Sequence, residues 1–388
     1  MEINRIEQTF RRLKACGREP NRLFSGNPTE SGILFPSDLL ESAYLRALKE
    51  RHYQPDPKGS PAAREAIADY YRKEGAEVLP QNIILTSGTS ESFFYLFSLL
   101  ARPGENILTP SPSYPLFDPI GRLTHTEMRH YPLVEEKDWS IDLGQIDKLC
   151  DTRTRAILLI SPNNPTGAVH SAEEIGQVVE FANRKRIAII ADEVFSEFIF
   201  GDRFPRVMQA ARPDLCFTLN GISKMLALPS LKLSWIAVTG EKEKVEEAVD
   251  SLETTADTFL SVSTPIQEAL PELMAEGLPF IGSYKKEVLR RRDLAVRILS
   301  QSDEVRFIPP RGGFYLMGEI AGPVSLSEEE FVIRLMEEKG VFVHPGYFYD
   351  YEKGTHFVVS HLTDEGRLKE GLDALIDFAV SVSGRSAG

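Results

Sequence analysis

Lys224 lies in the run Leu219-Asn220-Gly221-Ile222-Ser223-Lys224-Met225-Leu226-Ala227-Leu228, which carries no other charge. A lysine among small and apolar neighbours is costly to keep charged, so its amine tends toward the neutral, nucleophilic form. A neutral amine is what forms a Schiff base with an aldehyde cofactor. By itself the run reads equally as a surface lysine on a loop after a buried strand. Upstream, the apolar Ala188-Ile189-Ile190-Ala191 ends in Asp192-Glu193-Val194-Phe195. An α/β sheet presents its strand ends to ligands, so Asp192 is placed to meet a cofactor. A carboxylate there keeps a pyridine nitrogen protonated and makes the ring an electron sink; the alternative is a helix N-cap.

Two further stretches have the same character. Ser161-Pro162-Asn163-Asn164-Pro165-Thr166-Gly167 follows the strand-like Ala156-Ile157-Leu158-Leu159-Ile160. Its prolines and glycine fix the backbone, so an Asn amide can be held in one place to bond a phenolic oxygen. The plainer reading is a strand-to-helix turn, with Ser171 capping the next helix. Thr86-Ser87-Gly88-Thr89-Ser90-Glu91 lies between strand-like Ile83-Ile84-Leu85 and an apolar helix. A small, hydroxyl-rich helix start is a ready anion site, or simply a capped helix.

Tyr53 to Gly59, Ser87-Gly88-Thr89, Pro112-Ser113-Tyr114-Pro115, Asn163-Asn164-Pro165-Thr166-Gly167, Asp192-Glu193-Val194 and Ser223-Lys224 occur in that order. As a set, over about Arg22 to Ala379, they resemble the fold-type I pyridoxal 5′-phosphate (PLP) enzymes, specifically the class I/II aminotransferases. The resemblance implies that Lys224 is the Schiff-base lysine and proton shuttle, Asp192 the partner of the pyridinium nitrogen, and Asn164 the donor to the ring O3′ oxygen. It implies that Tyr114 stacks on the ring. The Ser87-Gly88-Thr89 turn, through the backbone amides of Gly88 and Thr89, and the Ser223 hydroxyl would form the phosphate cup. Lys232 stands at a phosphate-binding arginine position, and Tyr53 would reach the phosphate across a homodimer interface. Gly26 and Asn164 would face the substrate. The activity implied is ping-pong transfer of an amino group from an amino acid to a 2-oxo acid, with no metal.

The chain departs from that pattern at several positions. Phe195 replaces a tyrosine whose hydroxyl would bond O3′, leaving Asn164 to act alone. Lys232 gives charge without a planar two-pronged grip. Gly221 stands where many relatives have a phosphate-binding serine. Val358, in His356-Phe357-Val358-Val359-Ser360-His361, stands where the family carries the arginine that clamps the substrate carboxylate. Arg22, Arg311 and His361 are the candidate substitutes. These departures keep open a PLP-dependent lyase, decarboxylase or cyclase on the same scaffold, or a non-catalytic PLP-domain regulator. Phe195, Tyr114 and Tyr315 favour a small or apolar amino acid.

The 388 residues suffice for two or three domains with ample core. Acidic residues outnumber basic ones, 57 to 44, for a net charge of −13, which argues against a nucleic-acid surface. The spacing of Cys16, Cys150 and Cys216 suits neither a metal site nor a disulfide framework. The N-terminal stretch lacks the apolar core of a signal peptide, and no apolar run is long enough to span a bilayer. The expectation is a cytoplasmic protein.

The elements that must position these residues alternate. Strands are expected at Ile83–Thr86, Asn106–Thr109, Thr126–Tyr131, Arg155–Ser161, Ile187–Asp192, Leu215–Leu219 and Leu233–Thr239, with helices between most of them. This alternation predicts an α/β fold with a mainly parallel sheet covered by helices, and a smaller α/β domain; the resemblance implies that the sheet is of the seven-stranded type in the fold-type I family. The large PLP-binding domain is expected over 37–280, the small C-terminal domain over 281–388, and an N-terminal arm over 1–36 that packs with the latter. A helix over Pro279–Gln301 would bridge the two domains. Ser37–Arg51 reads as a helix, Val341–His344 as one strand, Glu19–Pro36 as a loop, and Ser381–Gly388 as a disordered tail.

Overall fold

The structure, a computed structural model, describes residues 4–49, 53–201, 206–322 and 325–383. Eight strands form the large sheet: β1 (Ile83–Thr86), β2 (Asn106–Ser111), β3 (Glu127–Val134), β4 (Ser140–Ile141), β5 (Thr154–Ile160), β6 (Ala188–Asp192), β7 (Leu215–Gly221) and β8 (Ser234–Gly240). Their spatial order is β1-β8-β7-β6-β5-β2-β3-β4. The five strands from β7 to β3 run parallel, and β8 lies antiparallel between β1 and β7. The added β4 is a two-residue antiparallel edge. Helices cover both faces, so β5 and β6 are almost wholly buried and read as unbroken apolar runs.

The strand directions matter for function. Because β8 opposes both neighbours, β1 points the same way as the parallel strands. The carboxyl ends of β1, β2, β5, β6 and β7 therefore share one edge, together with the amino end of β8. Ligands bind at that edge of an α/β sheet. The helix Ala172–Lys185 leads away from it behind a capping box of Ser171 and Glu174.

A second, four-stranded antiparallel sheet contains β9 (Val305–Phe307), β10 (Tyr315–Ile320), β11 (His344–Pro345) and β12 (His356–Ser360), in the order β9-β10-β12-β11. The single strand expected over Val341–His344 is divided. Val341–Phe342 pairs in parallel with Asn21–Arg22, within the segment expected to be loop, while His344 turns to join β12. The backbone explains the division: Asn21 N–H donates to the Gly340 carbonyl at 2.7 Å and Leu23 N–H to Phe342 at 2.9 Å. Ile6, Leu13 and Leu23 share a core with Leu294, Phe331 and Leu372. The helix Leu278–Leu299 runs from one core, at Ile281, into this one, at Leu294. The helix expected over Ser37–Arg51 spans Ser37–Ala47, and the C-terminal helix Glu365–Val382 runs into the stretch expected to be a disordered tail; residues 50 and 51 and 384–388 lie outside the described residues. Among the described residues no helix is long and apolar enough to cross a membrane.

Behind the ligand edge sits a buried ion pair. Arg206 donates to Glu193 Oε2 at 2.5 Å and to Ser196 Oγ at 3.0 Å, and its other terminal nitrogen donates to the Tyr70 hydroxyl. Both charges are nearly solvent-free. Removing one member leaves the other buried and unpaired, so Arg206→Ala will lose about 3–5 kcal/mol of stability in urea unfolding. A loss within about 0.5 kcal/mol, the usual range for surface sites, would show the pair to be solvated.

Candidate active site

A cavity of about 370 Å³ opens at the ligand edge of the large sheet. It gathers residues that are far apart in the chain, because each follows a strand end or begins the next element. Thr89 opens the helix Thr89–Leu100 after β1, Tyr114 follows β2, and Asn164 lies in the loop after β5. Asp192 ends β6, and Ser223 and Lys224 belong to the short helix Ile222–Met225 directly after β7. Gly26 reaches in from the N-terminal segment.

Lys224 is half-buried, and its Nζ donates to the Gly26 carbonyl at 2.8 Å. Burial lowers its pKa to about 8, helped by the charge of Lys232. A large part of the amine is therefore neutral in mildly alkaline solution. Asp192 is buried and accepts from Val194 N–H at 3.1 Å. Burial raises its pKa to about 7, and the Glu193 charge adds to the rise. A cation beside Asp192 would remove that penalty.

The loop after β5 divides its labour. Asn163 accepts from the Thr166 hydroxyl at 2.9 Å, and its backbone N–H and carbonyl bond Ala168 and Gly167. Asn163 is spent on bracing the loop. Asn164 keeps its side chain free: it is buried, lines the cavity, and its Oδ1 has no hydrogen-bond partner. A buried amide with an unmatched atom, facing a cavity, implies a polar ligand.

The remaining expected residues fall in two groups. Ser87 and Gly88 precede Thr89 but do not line the cavity, and the Ser87 N–H is taken by the Glu91 carboxylate. Lys232 is exposed outside the cavity, close enough for its charge to reach Lys224. Tyr53 is 69% exposed and lies away from it. Gly26 is held to glycine by packing: a Cβ there would sit 1.9 Å from the Tyr315 hydroxyl oxygen.

None of the three candidate carboxylate anchors lines the cavity. Arg311 is exposed, and Arg22 lies beside Glu19, Arg367 and Glu370. His361 is fully buried, bonds the Gly313 carbonyl at 3.0 Å, and is held neutral by burial, with its pKa near 3. Val358 is fully buried in β12 opposite Met317. Among the described lining residues Lys224 is the one cationic side chain. The wall also carries the apolar and aromatic Phe24, Ile160, Val194, Phe195 and Tyr315, beside the neutral polar Ser25 and Asn27. Phe195 is packed edge-on against Phe314, with ring centroids 4.8 Å apart.

Sequence reasoning passed over Phe24, Ile160, Val194 and Ser234. Ile160 and Val194 had a usable signal, since each lies next to a strand end already marked. Phe24 and Ser234 had none, because their places depend on the arm's path and on strand register.

The donor set fits PLP: an amine, a buried carboxylate, a free amide and an aromatic ring around one cavity, with a helix start and a serine hydroxyl beside them. The comparisons agree. The family model for aminotransferase class I and II matches residues 23–375. The chain is 28% identical over 374 residues to the glutamate-pyruvate aminotransferase AlaA of Haemophilus influenzae, covering 95% of this chain and 92% of that one. It is 29% identical to the AlaA protein of Escherichia coli K12, covering 89% and 87%. The solved alanine aminotransferase from Pyrococcus furiosus superposes with a TM-score of 0.91 at 27% identity, over 97% of this chain and 96% of the other.

Proposed function

Because the chain belongs to the class I and II aminotransferases, PLP-dependent enzymes that pass an amino group from an amino acid to a 2-oxo acid, we propose that its own donor is a small or apolar amino acid. The observation that carries this is the wall of Phe24, Ile160, Val194, Phe195 and Tyr315, with no arginine among the described lining residues. Such a wall rewards apolar side chains and gives a second carboxylate no partner. The name of the similar alanine aminotransferase from Pyrococcus furiosus agrees with it, while the two glutamate-pyruvate aminotransferases name a dicarboxylic substrate beside a small one.

PLP supplies the carbonyl that takes the amino group and the ring that accepts electrons from the substrate Cα. The protein supplies the rest. Lys224 Nζ, as a neutral amine, would hold the cofactor's carbonyl carbon and would take the proton from the substrate Cα. Asp192 holds the ring nitrogen cationic. Asn164 donates to the ring oxygen, and Tyr114 covers one face. Thr89 and Ser223, which line the cavity, would receive the phosphate at the helix start, with Lys232 adding charge from outside it. Gly26 and Asn164 would border the substrate.

Three wider readings go with this one. We read the chain as an arm (1–36), a large domain (37–280) and a small domain (281–388); the core shared by Ile6, Leu13 and Leu23 with Leu294 and Leu372 supports that division. We read the enzyme as a homodimer in which Tyr53, exposed in the single chain, reaches the partner's site. Its three cysteines, all unpaired, suit the cytoplasm.

The test is a spectrum of the purified protein during addition of single amino acids and simple amines, with no 2-oxo acid present. Loss of the cofactor band with release of the matching 2-oxo acid, fastest for alanine-sized or apolar donors, is the expected result. A preference for aspartate or glutamate would overturn the donor assignment. Phe195 gives a second test. With no hydroxyl there, Asn164 alone stabilises the ring oxygen's negative charge. Phe195→Tyr will add a donor and lower the pKa read from the cofactor's absorption by about one unit; an unchanged pKa would mean that position 195 does not face the ring oxygen.

A further inference from the structure

We propose that Ser234 donates its hydroxyl to the cofactor phosphate from the neighbouring strand, filling the place that Gly221 leaves without a side chain. The inference rests on the PLP site described above. Gly221 and Ser234 are partners across the antiparallel β7–β8 ladder. A Cβ on Gly221 would lie 2.2 Å from Ser234 Oγ and 2.8 Å from Ser234 Cβ. The Gly221 φ of 178° is extended backbone open to any residue. Conformation therefore does not demand glycine at 221; the space is taken by the hydroxymethyl group opposite.

That hydroxyl is placed to meet a ligand. Ser234 is 2% exposed yet lines the cavity beside Ser223, Lys224 and Thr89. Its Oγ has no protein hydrogen-bond partner among the described residues. Buried hydroxyls are nearly always paired, so one that faces a cavity is matched by what the cavity holds. Thr89 brings the start of a twelve-residue helix to the same wall, and helix starts favour anions. The phosphate is the cofactor's anionic group. One hydroxyl between the two strands serves it, from either side but not from both.

The test compares cofactor affinities in protein stripped of PLP and refilled. Ser234→Ala is expected to weaken PLP binding about tenfold or more, as loss of a hydrogen bond to a charged group does. Binding of pyridoxal, which lacks the phosphate, is expected to change by less than about twofold. The paired exchange Gly221→Ser with Ser234→Gly moves the hydroxyl to the other strand and is expected to recover PLP affinity to within about threefold of the parent. An unchanged PLP affinity in Ser234→Ala would overturn the proposal. So would equal losses for PLP and pyridoxal, which mark a structural role, or an exchange variant no better than Ser234→Ala. Failure of the PLP reading itself would show in the unmodified protein, as no binding of PLP.

Discussion

Lys224→Ala lowers amino transfer by at least about 10⁴-fold, the upper end of what a positioned acid–base group contributes, because the side chain is both nucleophile and proton carrier. Lys224→Arg fares no better, since a guanidinium stays protonated at any working pH. Steady-state transfer from the best donor measures the loss. Residual activity above about 1% would place the chemistry on another group. A pH dependence follows from the same atom. Burial holds the Lys224 pKa down at about 8, so the neutral fraction grows as pH rises through that value. Refilling stripped protein with PLP will therefore speed up with rising pH and level off above about 8. A rate independent of pH between 6 and 10 would mean that the amine is not the attacking group; that window, about two units either side, spans the titration.

Asp192→Asn reduces turnover by about 10²–10³-fold, the cost of removing one pre-positioned electrostatic partner from a dry site. Asparagine keeps the size and can still accept from Val194, but cannot hold a cation on the ring nitrogen. Asp192→Glu keeps the charge and will retain more activity than the asparagine variant. The mechanism also predicts how cofactor affinity varies with pH. Burial holds the Asp192 carboxyl up at about 7, so it is partly protonated near neutrality before the cofactor arrives. Binding a cationic ring favours the carboxylate, so PLP affinity increases as pH rises through about 7. The asparagine variant will lack that rise. Equal turnover in the Asp192→Asn variant and the parent would show that the ring nitrogen needs no anion.

Much of the site could be read before any fold was known, and the reason is topological. Parallel strands bring their carboxyl ends to one edge, so an apolar run that ends in a polar residue announces where that residue will be. Lys224, Asp192 and Asn164 all follow such runs. The anchor of the substrate carboxylate could not be read this way. His361 looked available as one residue among others, but packing buries it and keeps it neutral. Arg311 looked close through its neighbours Gly312 and Gly313, yet it is exposed outside the cavity.

Sequence by itself determined the α/β class and the covered parallel sheet, because hydrophobic periodicity and strand-end residues are local properties. The tertiary structure decided what depends on distant segments meeting. The Gly26 carbonyl meets Lys224 across 198 residues of chain. The Tyr315 hydroxyl fills the space beside Gly26, and Arg206 is paired inside rather than free at the surface. Ser234 stands in the gap at Gly221 only because β7 and β8 pair in one antiparallel register. A shift of one residue would turn its hydroxyl to the opposite face of the sheet.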